Sequence, residues 1–489
     1  MLRAWICTTL CRNQSCGGCT SSWNAWHRPP AGRCRRRPYL PILIFVRCKG
    51  SFRVTECPAS LLALQRAVSL GDLSAAEAVR RQHARLLARH ASWHCASWVP
   101  EQAPMPGAGP LAGVALAHKD IFMLAGRAPG LGLGPGQPRP LAQPAAAIRS
   151  LGAAGAVVMG TLAMAEYACG STGDNEWLGR CVNPRDHAAV VGGSSSGSAS
   201  AVAAGLTLAS LGTDTSGSVR IPAATCGVVG FKPTWGAIPT EGVQPLAPSL
   251  DTVGVLARDS VDAALLFEVL RDPVLPRPAV PGVLRVAAWL DDAALHPDVA
   301  GLLQGLARTC GAREQAFPST EFERLSMLAE IVLRAESART YGAVLKASDL
   351  PPRARDLVLG GLVLPRDWHG AALRARGGAL RDFVAGHFGE ADVLMLPALP
   401  QPVPDWRRVA PDEAQFQVRE LLALHRYMGF VNYLGLPALV LPVAEDANGR
   451  PVSVQLLARP HREADLLSFA ARLESSHAVA GRKAVPLML

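Results

Sequence analysis

The 489-residue chain lacks any apolar run close to the roughly 20 residues that a membrane-spanning helix needs. The longest candidate near its start, Tyr39–Val46, holds eight residues and includes Pro41. No helical membrane span is therefore expected. Acidic residues are missing altogether from the first 50 positions, which carry nine Arg or Lys. Removing those nine leaves 40 basic against 39 acidic residues, so the formal charge of +10 belongs to one end. The body has no electrostatic footprint for nucleic acid, and no nucleic-acid partner is expected. Cysteine pairs are also missing from the body. Six of the twelve cysteines lie in the first 50 residues, and the other six are scattered singly. That pattern excludes a disulfide framework and suits a reducing compartment, so a soluble, cytoplasmic protein is expected.

Residues 1–53 are set apart by composition. Their Arg content and lack of acid fit a targeting segment, but Trp5, Trp23 and Trp26 do not. Cys16 and Cys19 have the spacing of half a zinc site, with no second pair to complete it. We expect a disordered or over-extended start, with one domain over 54–489. No metal and no cofactor are expected.

What the body does contain is alternating helix and strand signals. Ser60 precedes LLALQRAVSL, and Ser74-Ala-Ala-Glu77 is a capping-box pattern opening a helix. VALAHKD (114–120) reads as a buried strand, AAAIRSLGAAG (145–155) as a helix and AVVMG (156–160) as a strand. GSASAVAAG (197–205) reads as a small-residue helix and LTLASLG (206–212) as the next strand. Helices are expected over about 295–390, then a hairpin of 438–444 and 452–458 turning at Asn448-Gly449. The alternation predicts an α/β fold with a large, mixed but mostly parallel sheet, covered by helices on both faces. GLGLGPGQPRP (130–140) resembles a dinucleotide fingerprint but follows no suitable strand, and reads as a loop.

In open α/β sheets functional groups collect at strand carboxyl ends. Lys119 closes one such strand, and Thr213-Asp-Thr-Ser-Gly-Ser218 follows another. The second is a turn of small residues able to aim several backbone N–H groups at one point, as an oxyanion requires. A serine there can attack a carbonyl if a base is in reach. A lysine buried among apolar strands loses affinity for its proton and can serve as that base. The stretch GGSSSGSAS (192–200) looks like a linker, yet it lies one helix and one strand before Ser218, so both ends can meet at one sheet edge.

GGSSSGSASAVAAG followed by GTDTSGSVRIPAATCGVVGFKPTWG resembles the amidase signature family. LAGVALAHKDIF, SLDTVGVLARDSVDAALL, ADVLMLPALPQPVP and NYLGLPALVLPVAEDANGRPVSVQLLARPHREADLL resemble its other blocks, so the likeness runs from about 108 to 475. The resemblance implies an amidase that hydrolyses an amide C–N bond through an acyl-serine. Ser218 matches the nucleophile, Ser194 the bridging serine (usually preceded by a cis peptide) and Lys119 the base. The N–H groups of Thr215, Ser216, Gly217 and Ser218 match the oxyanion hole, and Ser195 and Arg220 match supporting positions. The implied partner is a small-molecule amide, with a homodimer as the assembly to test. Two departures stand out: the family commonly has glycine where Ser196 and Ser216 lie. Ser216 is expected to adopt its backbone angles at some steric cost.

Other residues get plainer readings. His118 neighbours Lys119, but adjacent strand residues face opposite ways. Asp214 reads as a turn-stabilising carboxylate, Cys226 as packing, and Arg334 and Glu336 as a solvated helix face. Two competing functions remain open here. Gly193-Ser-Ser-Ser-Gly197 fits the nucleophile elbow of an α/β-hydrolase-type esterase, with Ser195 attacking and His369, His425, His461 or His477 as base. The family fold also serves as the amidase subunit of a tRNA amidotransferase complex. Those subunits typically have glutamine where Ile221 follows Arg220.

Overall fold

The computed structural model describes residues 58–134, 136, 143–347 and 350–476. The expectations for residues 1–53, including the Cys16/Cys19 reading, and for His477 lie outside them. Eleven strands are described: β1 Ala96–Trp98, β2 Ala115–Lys119, β3 Val157–Leu162, β4 Ala209–Asp214, β5 Val229–Lys232, β6 Thr252–Ala257, β7 Val286–Ala288, β8 Arg313–Glu314, β9 Val393–Pro397, β10 Ala438–Glu445 and β11 Pro451–Ala458. They form a small sheet, β1-β3-β2, and a large one, β4-β6-β5-β10-β11-β9-β7-β8.

The large sheet is mixed, as expected, but its pairing corrects the expectation of mostly parallel strands. Five of its seven neighbouring pairs are antiparallel and only β9-β7-β8 are parallel. The cause is insertion. β4 and β5 run the same way on either side of the helix Arg220–Cys226, but β6 sits between them and pairs antiparallel with both. Likewise β11 returns from β10 and fills the place between β10 and β9. Helix–strand alternation reports which strands share a direction, not which are neighbours. In the small sheet β2 and β3 are parallel, joined through the helix Ala146–Ala153.

Apart from the exposed edge strand β8, both faces of the large sheet are buried, which explains its nearly continuous apolar strands. In β10, Leu439 and Leu441 join the core that holds Leu466, Leu467 and Ala470 of the helix Glu463–Ser475. Ala438 instead joins Phe322, Leu325, Phe383 and Phe430. These come from the helices Ser319–Ala347, Arg366–Phe383 and Gly429–Leu434. Local signals held at the helix starts: Ser60 Oγ accepts from Ala63 N (3.2 Å) and Ser74 Oγ from Glu77 N (3.1 Å). Among the described residues no helix is long and apolar enough to cross a membrane.

Candidate active site

Strand β2 is buried along its whole length and ends on Lys119. It docks beside β4 through His118, whose Nδ1 accepts from Leu211 N (3.0 Å). Two residues further along β4, Thr213 Oγ1 accepts from Lys119 Nζ (2.8 Å). The same Nζ lies 2.7 Å from Ser194 Oγ. Lys119 and Ser194 are both fully buried. Burial disfavours the ammonium and lowers the Lys119 pKa from 10.5 to about 7, although Asp251, Asp214 and Cys169 oppose the shift. A lysine poised near neutrality is what a general base requires. His118 is also fully buried, which pushes it down to about 3 and keeps the imidazole neutral. Its bond to Leu211 fits the plain structural reading.

Ser194 sits where the chain enters the helix Ser196–Ala203, and the Gly193–Ser194 peptide is cis. Ser194 O accepts from Ala165 N (3.1 Å), and Ser195 N donates to Ser218 O (3.1 Å). The GGSSSGS stretch is thus laid directly against the turn that carries Ser218. Small residues also let the stretch pack closely against the backbone just before β1 and just after β3. A Cβ on Gly197 would stand 2.3 Å from Cys95 O. Ser216 and Ser218 are only half-buried, so the turn reaches solvent while the lysine behind it does not. Ser218 Oγ has no hydrogen-bond partner among the described residues. The observed chain of side-chain contacts runs from Thr213 through Lys119 to Ser194, with Ser218 joined to it by its backbone.

Asp214 organises the turn. Its carboxylate accepts from the N–H groups of Gly217 (3.0 Å), Val219 (3.2 Å) and Arg220 (3.3 Å). It also takes Arg220 Nε (3.0 Å) and Nη2 (2.8 Å). Burial alone would raise its pKa. The Arg220 charge and hydrogen bonds, with Lys232 and Asn432, outweigh that and hold it well below the carboxylate range. The turn-stabilising reading stands. One part of the oxyanion assignment is corrected: Gly217 N–H is already held by Asp214 and leaves the set, so Thr215, Ser216 and Ser218 remain its candidates.

The expected strain at Ser216 is also corrected. Ser216 is not among the residues with left-handed backbone; that conformation falls on Gly217, with φ of 104°. A Cβ there would lie 2.7 Å from Met428 Cγ and 2.9 Å from Ile221 Cδ1. Gly217→Ala is therefore expected to cost about 2–4 kcal/mol, from backbone strain plus overpacking. Thermal melting checks this. In a Met428→Ala background the same substitution should cost less than in the wild type, since the truncation relieves the packing but not the backbone.

Ser195 and Arg220 are fully buried. Ser195 Oγ faces Thr213 O at 3.5 Å, and no histidine bonds to it among the described residues. His369 instead pairs with Glu336 (3.0 Å), and His425 Nδ1 meets Ser216 O (3.3 Å). The elbow thus finds no base among the described residues. Glu336 is a further correction. It is buried, and accepts from Ser249 N (2.8 Å), because its helix packs over the segment 245–251. Arg334 does lie on the surface side, paired with Glu330. Cys226 is packed as expected, with Sγ against Val191 O. The five described cysteines are all free.

Sequence reasoning missed Thr213, Asn432, Gln455 and Asp251. Thr213 had a signal: two residues after Leu211 in one strand, it shares that residue's face. Asn432 and Gln455 bond Arg220 (2.5 and 2.6 Å) from more than 200 residues away, and nothing local marks them.

Over residues 73–467 the sequence matches the amidase family. The chain belongs to the amidase family. It is 33% identical over 380 residues to AtzE, a 1-carboxybiuret hydrolase subunit of Pseudomonas sp. (strain ADP), covering 72% of this chain and 82% of that one. It is 33% identical over 420 residues to a glutamyl-tRNA(Gln) amidotransferase subunit of Moorella thermoacetica, covering 75% and 83%. Among solved structures, an amidase superposes with a TM-score of 0.75 at 30% identity, covering 85% of this chain and 99% of that one. The 6-aminohexanoate cyclic dimer hydrolase complexed with substrate gives 0.73 at 26% identity, covering 88% and 99%. As a member of this amidase family, the chain is an amide-hydrolysing enzyme.

Proposed function

We propose that this amidase is a stand-alone cytoplasmic enzyme that hydrolyses small amides through an acyl-serine, within one catalytic domain over 54–489. The observation that carries the reading is the buried Lys119 Nζ, 2.7 Å from Ser194 Oγ, directly behind the accessible Ser218 turn. Neutral Lys119 takes the proton of Ser194 Oγ, which takes that of Ser218 Oγ. Ser218 Oγ then bonds to the amide carbon, and the carbonyl oxygen becomes an oxyanion facing the N–H groups of Thr215, Ser216 and Ser218. The Lys119 proton returns through Ser194 to the leaving nitrogen, the C–N bond breaks, and ammonia or an amine departs. Water, deprotonated by the same relay, adds to the acyl-serine; the C–O bond to Ser218 breaks as Ser218 regains that proton, and the carboxylic acid leaves and ionises in solvent. Ser195 and Arg220 support the turn from beneath. Ile221, buried where amidotransferase subunits typically have glutamine, favours the stand-alone reading.

A fluorophosphonate tests the nucleophile without a known substrate. The adduct is expected on Ser218 by peptide mass spectrometry, and absent in Ser218→Ala. Label on Ser195 would sink the assignment. Turnover of simple amides by the pure chain, without added metal, nucleotide or protein partner, checks the stand-alone reading.

A further inference from the structure

Asp251 lies at the foot of β6, next to Thr252, whose partner across the ladder is Asp214. It is buried, bonds the oxyanion turn and shares a cavity with Thr213. Its Oδ1 accepts from Thr215 Oγ1 (2.6 Å), and Thr215 is the first residue of the turn that supplies the oxyanion N–H groups. A cavity of about 230 Å³ is lined by Asp251 and by Thr213, the residue whose hydroxyl holds Lys119 Nζ. The remaining Asp251 contacts are the N–H groups of Leu246 (2.9 Å) and Ala247 (3.1 and 3.2 Å). Every one of these donors is neutral.

That sets Asp251 apart from the other carboxylate near the lysine. Asp214 is ion-paired with Arg220, both fully buried, and it favours the Lys119 ammonium after Asp251 does. Asp251 has no such ion pair among the described residues. The loop that presents it is held from outside. Tyr341 OH donates to Pro245 O (2.9 Å), Thr340 Oγ1 to Leu246 O (3.3 Å) and Arg376 to Ser249 O (2.8 Å), while Glu336 accepts from Ser249 N (2.8 Å). Four contacts from the helical layer thus hold the loop that carries this anion.

Resting on the Ser218–Ser194–Lys119 reading, we propose that Asp251 is a positioning residue with two effects: it orients Thr215 in the oxyanion turn and sets the pH at which Lys119 works. The groups that act on Lys119 are Asp251 just before β6, Asp214 from β4 and Cys169 from the loop after β3. Around Asp251 the titratable groups are Lys119, Cys169 and Tyr341. Burial pushes Cys169 up to about 12 and Tyr341 upward too, so both are neutral where Lys119 titrates. Burial also raises Asp251 from its ordinary value, opposed by Thr215, the Leu246 and Ala247 N–H groups and Lys119. The sign follows directly. Lys119 works as the neutral amine, and a nearby anion favours its charged form. Removing the anion makes the neutral amine available at lower pH.

The test measures the rate of fluorophosphonate labelling of Ser218 against pH. In the wild type the rate rises through a single acid limb, and absence of label or limb would overturn the underlying mechanism instead. In Asp251→Asn the limb is expected to move to lower pH by about one unit. Asp251→Ser, which also removes the charge but keeps a small acceptor, should move it the same way. Thr215→Val keeps the anion and breaks the hydroxyl contact, so the plateau should fall about tenfold with the limb in place. A wild-type limb in folded Asp251→Asn or Asp251→Ser overturns the proposal. So does failure of both variants to fold, which would make Asp251 a purely structural residue.

Discussion

Lys119→Met is expected to lower kcat/KM by about 10³-fold or more while leaving the fold intact. The methionine fills the lysine's volume in a fully buried site and carries no charge to desolvate. Without the amine, Ser194 Oγ has no base, and Ser218 must attack as a neutral hydroxyl. Wild-type kcat/KM should fall as the pH drops through about 7, because protonation of Lys119 removes the base. The same group leaves a mark on stability. Lys119 has an ordinary value of 10.5 when unfolded and about 7 when folded. Between those values the unfolded chain binds a proton that the folded chain does not, so stability rises with pH across that window. Lys232, also buried and lowered to about 7, first by burial and then by the Arg220 charge, adds a second contribution of the same sign. Melting of Lys119→Met should therefore show a clearly shallower slope than the wild type between pH 7 and 9, above which the buried cysteines, raised from their ordinary value of 9.0, pull stability the other way. An unchanged slope, or activity that does not fall at low pH, would contradict the assignment.

The parts of this site legible in the sequence were those written in short stretches. Lys119 at a strand end, the small-residue turn through Ser218 and the GGSSS approach are each local patterns, and the structure brings all three to one place. The hairpin at Asn448-Gly449 was legible for the same reason, since turn chemistry is local. What escaped was set by distance along the chain. β6 enters the sheet between β4 and β5 from 20 residues beyond β5, and no periodicity in β4 or β5 announces it. Glu336 looked like a surface residue because its helix has mixed polarity. Only the docking of segment 245–251 buries it. The strain expected at Ser216 was misplaced by one residue: the turn puts its left-handed backbone on Gly217, which the sequence does supply.

The Asp214–Arg220 pair should show the largest stability effects in the molecule. Asp214→Asn leaves a fully buried guanidinium facing only neutral acceptors: Gln455 Oε1, Asn432 Oδ1 and Met428 O. Loss of one partner of such a pair costs about 3–5 kcal/mol. Arg220→Met leaves the carboxylate with the N–H groups of Gly217 and Val219, and with Asn432 Nδ2 (2.9 Å), so its cost should fall at the lower end. The double variant removes both charges and should cost less than the sum, by about 1–3 kcal/mol. Urea denaturation of all four proteins gives this coupling directly, and simple additivity would argue against a coupled pair. The pH dependence has the same sign as that of Lys119, in a lower window. Asp214 is held below its ordinary value of 3.8, so the pair's stabilisation is present above that pH and is lost as pH falls through the lowered value. Asp214→Asn should accordingly flatten the acid limb of unfolding. It should also slow fluorophosphonate labelling of Ser218 more than Arg220→Met does, because only the carboxylate ties the turn's own N–H groups in place.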